Sequence, residues 1–91
     1  MERTVFDKII AGETDADIVF ENEDVVAFRE IAPQAPVHVL VIPRTRMKNI
    51  SESTDHDPVV IGKLIQGIAE TARLLGLEES GYRVVFNTGR D

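Results

Sequence analysis

Two residues combine a titratable side chain with a setting that could use it: Glu30 and His38. Glu30 is a candidate acid at the mouth of a stretch stiffened by Pro33 and Pro36, which fix their own backbone angles and restrict the residues before them. His38 is a candidate base in the strand-like run that follows. Little else in the chain could carry chemistry. There is no cysteine, hence no disulfide, no thiolate nucleophile and no cysteine metal site. His38 and His56, far apart in sequence, do not make a metal cluster. Ser51, Ser53 and Ser80 stand outside any nucleophile elbow, and no glycine-rich phosphate loop is present. Pattern alone favours His38 as a satisfied core histidine and Glu30 as a surface acid.

The elements that must position these residues are legible in turn. Residues 37–42 are β-branched and apolar apart from His38. Alternation puts Val37, Val39 and Val41 on one face and His38, Leu40 and Ile42 on the other. Both faces are apolar, which predicts a central strand covered on both sides, closed by Pro43. Before it, residues 18–21 and 25–28 read as a β-hairpin across the polar turn Asn22-Glu23-Asp24. Thr4 and Asp7 form a weak capping box for a short N-terminal helix that places Phe6, Ile9 and Ile10 on one face and stops at Gly12.

After the central strand, Arg44, Arg46 and Lys48 make a basic run and residues 51–57 an acidic one. Both read as solvated loop, with His56 exposed among the acids. Asp57-Pro58 then signals a strong helix start, and Gly76 a stop after Leu75. Val60, Ile61, Leu64, Ile65, Ile68, Ala69, Ala72 and Leu75 form an apolar stripe for core or dimer interface. Gly62, Gly67 and Ala69 would allow close backbone approach. Residues 82–87 read as a last strand, with Tyr82, Val84 and Phe86 on one face.

Ninety-one residues make one domain with a thin core, which dimerisation would help. A net charge of −6 argues against a polymeric nucleic acid partner but not against a small nucleotide in a local pocket. The longest apolar run is too short to span a bilayer and there is no basic, apolar-cored leader, so a cytoplasmic protein is expected.

Several stretches resemble the histidine triad (HIT) family, in its nucleoside-phosphoramidase branch. The most specific is Pro33-Gln34-Ala35-Pro36-Val37-His38, inside the longer match over residues 27–43. Residues 5–13, 24–28 and 81–89 also resemble that family, in order along the chain. The resemblance implies an α+β fold: an antiparallel sheet, about four strands of it present and the triad strand missing, with one short and one long helix. It implies a homodimer acting on purine nucleotides or nucleoside phosphoramidates, with no cofactor. Phe6, Ile9, Phe28 and Ile31 would flank the base, Glu30 would bind the ribose hydroxyls, and Asn87 would lie beside the phosphate. His38 would buttress the catalytic histidines.

Three departures stand out. The family residue at Glu30 is usually aspartate, one methylene shorter. Some bacterial relatives carry a Cys-x-x-Cys zinc motif where this chain has Thr4 and Asp7, so no metal is expected. The His-x-His-x-His motif and its Gly-Gln-Ser/Thr loop should follow Asn87, yet the sequence ends at Asp91. Neither His38 nor His56 takes the nucleophile's place. The sequence is therefore expected to be an incomplete HIT domain. Three functions are compatible with it: a HIT hydrolase, a purine nucleotide-binding module without catalysis, and a dimerisation fragment.

Overall fold

The computed structural model describes residues 5–12, 16–30 and 36–89. Its elements are α1 (Val5–Ile10), β1 (Ile18–Glu21), β2 (Val25–Arg29), β3 (Val39–Pro43), a 3-10 helix (Ile50–Asp55) and α2 (Pro58–Leu74). The three strands form an antiparallel sheet in the order β1-β2-β3. This is the expected α+β architecture.

Local chemistry explains the element ends. Asn22 Oδ1 accepts from the amides of Asp24 (2.8 Å) and Val25 (2.9 Å), closing the hairpin between β1 and β2. Asp57 Oδ1 accepts from the Val59 amide at 2.9 Å, and Pro58 opens α2 where its missing N–H costs nothing. Gly76, with φ +72°, follows the helix end, and Gly12, with φ +75°, follows α1.

The core lies where α1, the sheet and α2 stack. On one face of the sheet Ile9 packs with Val26 and Phe28, joined by Ile10, Leu40 and Ile42. On the other, Gly67 of α2 lies so close to Val25 that a Cβ there would fall 2.5 Å from Val25 Cγ2. Gly67 thus supplies the expected close approach. Gly62 does not, because nothing lies within 4 Å of its missing Cβ.

The sheet differs from expectation in three ways. Among the described residues the strand holding the centre is β2, whose Val25 to Phe28 are 0–6% exposed, whereas β3 is only half-buried throughout. An apolar run on both faces does not say which strand is in the middle. β3 also starts at Val39 rather than 37, leaving Val37 43% exposed. Residues 82–87 form no strand, and each of residues 81–89 is exposed. Strand propensity is realised only against a neighbouring strand, and no described residue supplies one there.

On α2 the buried face is narrower than the predicted stripe. Leu64, Gly67, Thr71 and Ala72 are buried, while Ile65 is 47% exposed. Among the described residues no helix is long and apolar enough to cross a membrane.

Candidate functional site

The β2–β3 register pairs Arg29 with Val39, Phe28 with Leu40 and Val26 with Ile42. One rung further, the Glu30 amide donates to the His38 carbonyl at 3.0 Å. Glu30 and His38 are therefore cross-strand partners. Strand alternation puts both on the face that carries Phe28, Leu40 and Ile42, the face covered by Ile9. Both are half-buried. The backbones of Glu30 and His38, separated in sequence by the proline stretch, are thus joined at one end of an apolar floor.

Ile9 and Phe28 are each 6% exposed, so they form a packed apolar backing. Asn87 stands in the exposed 81–89 stretch, and no described contact ties it to Glu30 or His38. Ile31, the proline stretch over residues 31–35, Thr4 and the Phe6 side chain lie outside the described residues. His56 caps the 3-10 helix, its amide donating to the Ser53 carbonyl, and is half-buried rather than exposed. Among the described residues no group of three or more His, Cys, Asp or Glu side chains could hold a metal ion.

The basic run is not simply solvated. Arg44 donates from Nε to the Asn22 carbonyl at 2.7 Å and from Nη2 to Glu21 at 2.9 Å, pinning the end of β3 to the hairpin turn. Arg46 Nη1 meets Asp7 Oδ2 at 2.8 Å, joining the segment after β3 to α1. These tethers have no local sequence signal, because their partners are distant in the chain.

A polar cleft beside Asn22 and Asp24, walled by Lys63, Gln66 and Glu70 of α2, opens away from the Glu30–His38 face. Its guanidinium, Arg73, is hydrogen-bonded to Glu78 and Glu70, which raise its pKa above the ordinary arginine value. The charge of Arg73 is thus met by Glu78 and Glu70.

Comparison with known proteins bears on the family and the fold. The HIT domain model matches residues 11–91. An uncharacterized HIT-like protein of Synechococcus elongatus is 48% identical over 97% of this chain and 76% of its own length. The purine nucleoside phosphoramidase of Escherichia coli is 39% identical over 98% of this chain and 75% of its own. Among solved structures, a HIT family hydrolase from Clostridium thermocellum superposes with a TM-score of 0.89 at 37% identity, covering 98% of this chain and 77% of that one. The chain belongs to the HIT family.

Proposed function

We propose that this protein hydrolyses purine nucleoside phosphoramidates or related nucleotides at the α-phosphate. The observation that carries the proposal is the cross-strand pairing of Glu30 with His38 over the apolar floor of Ile9 and Phe28. The names of two relatives support the substrate class: a purine nucleoside phosphoramidase, and an adenylylsulfatase of Arabidopsis thaliana that is 41% identical over 94% of this chain.

In this mechanism Ile9 and Phe28, with Phe6 and Ile31, back and flank the purine. The Glu30 carboxylate accepts hydrogen bonds from the ribose hydroxyls, and Asn87 lies beside the phosphate. A histidine nitrogen attacks the α-phosphorus, the bond to the amine breaks, and the amine leaves with a proton. Water then cleaves the nucleotidyl-histidine to give the nucleoside monophosphate and free histidine. The attacking histidine belongs to a His-x-His-x-His motif, which residues 1–91 do not contain. His38 holds that motif in place through a hydrogen-bond chain.

Incubation of the full-length gene product with adenosine 5′-phosphoramidate tests the proposal. AMP and ammonia are the expected products. A folded protein carrying the triad that gives no turnover would overturn it.

A second reading, nucleotide binding without catalysis, draws on the same apolar backing of Ile9 and Phe28 beside Glu30. Calorimetry with AMP separates the two: binding with zero turnover supports this one. The exposed apolar residues of α2 and of the 81–89 stretch, Val59, Ile65, Tyr82 and Phe86 among them, support a homodimer. The cysteine-free sequence supports a cytoplasmic setting.

A further inference from the structure

We propose that Asp7 and Arg46 are a positioning pair for the purine side of the site, an inference that rests on the nucleotide-binding function proposed above. Asp7 lies on α1, and Arg46 lies beyond the end of β3, 39 residues away in sequence. Their side chains meet at 2.8 Å, with Asp7 23% and Arg46 51% exposed.

The pair matters because α1 is short. Six residues are too few to sustain a helix by themselves, since nucleation costs more than so few backbone bonds return. The orientation of α1 must therefore come from tertiary contacts. One is apolar: Ile9, buried against Val26 and Phe28, with Ile10 packed beside it. Apolar packing at these two adjacent positions is non-directional and does not by itself fix the rotation of the helix.

The ion pair adds a second fixed point. β3 runs from Val39 beside Arg29 to Pro43 beside Val25, so Arg46 leaves the sheet at the end opposite Glu30 and His38. It grips the N-terminal part of α1 there. α1 is thus fixed at two points, Ile9 packed over Val26 and Phe28 and Asp7 paired with Arg46. The pair touches no substrate in this arrangement. It sets where the apolar backing of the base sits relative to Glu30.

Arg44, by contrast, bonds to Asn22 and Glu21 of the hairpin and has no partner on α1 among these bonds. The two arginines thus divide the work, one bracing the sheet and one seating the helix.

Titration calorimetry of the full-length gene product with AMP and with ribose 5-phosphate tests the assignment. The second ligand keeps ribose and phosphate but lacks the base. Asp7→Asn and Arg46→Gln should each weaken AMP binding about three-fold, the scale of a part-exposed ion pair. Ribose 5-phosphate binding should not change, and Arg46→Lys should restore AMP binding. Unchanged AMP affinity in both variants would overturn the role. So would parallel loss of both ligands, which marks a general folding defect, or an Arg46→Lys no better than Arg46→Gln. Failure of the unsubstituted protein to bind AMP would be a separate result, removing the nucleotide proposal and this pair's role with it.

Discussion

Glu30 and His38 are joined across β2 and β3 by the Glu30 amide, which donates to the His38 carbonyl at 3.0 Å. The strand register therefore fixes the backbone separation between the proposed ribose acceptor and the histidine proposed to buttress the triad. The fixed backbone also bears on the departure from aspartate. If the rung is held, the extra methylene of Glu30 moves its carboxylate outward along the face.

Ribose recognition by Glu30 should show as selectivity. Removing a hydrogen bond to a charged group costs about 1.5–3 kcal/mol, so Glu30→Ala should weaken AMP binding roughly ten-fold or more. It should also erase the preference for AMP over its 2′-deoxy analogue. Glu30→Asp should keep that preference. Calorimetry with the two nucleotides measures this directly, and a preference that survives in Glu30→Ala would remove Glu30 from the ribose site.

Gly67→Ala should destabilise the fold although alanine is the better helix former. The added Cβ would lie 2.5 Å from Val25 Cγ2, on the buried strand at the centre of the sheet. Overpacking of this kind costs about 1–3 kcal/mol, against a propensity gain of about 1 kcal/mol. A net loss near 1 kcal/mol should lower Tm by about 4–8 °C in a domain this small. Gly62→Ala, with open space at its Cβ, should instead raise it. Thermal unfolding of the pair is informative because the two changes are chemically identical.

The same contrast shows what was legible in the sequence. Asn22, Asp57-Pro58 and Gly76 act on their immediate neighbours, so the hairpin and the limits of α2 could be read directly. The ranking of strands could not. Residues 25–28 and 37–42 are both apolar, and only packing against α1 and α2 decides that β2 is the buried one. Residues 82–87 have the composition of a strand without a neighbour to pair with among the described residues. In the site, the resemblance singled out Glu30 and His38, and the register explains why their backbones are joined. Arg46 was unreadable because its partner Asp7 is 39 residues away and charge runs are usually solvated.

The N-cap of α2 offers a cleaner stability test. Asp57 accepts from the Val59 amide at 2.9 Å and is exposed, so truncation opens no cavity. Asp57→Ala should cost about 1 kcal/mol, and Asp57→Ser much less, because serine caps nearly as well. Urea unfolding should show a lower midpoint for alanine with an unchanged slope. Equal midpoints for alanine and aspartate would mean that Pro58 and the packing of Leu64 set the start of the helix without the cap.

Ile65 provides the test of the homodimer. It belongs to the predicted apolar stripe of α2, yet it is 47% exposed because the helix turns Leu64, Gly67, Thr71 and Ala72 toward the sheet. In a monomer, Ile65→Glu should change stability by no more than about 0.5 kcal/mol, as surface substitutions do. In a dimer joined through α2, the same change places two unpaired carboxylates in an apolar contact, and such burial is costly. Sedimentation at micromolar concentration should therefore show a dimer for the unsubstituted protein. It should show a folded monomer, with unchanged circular dichroism, for Ile65→Glu. A dimer that survives the substitution would exclude this face of α2 as the interface. A monomer in both would remove the homodimer altogether.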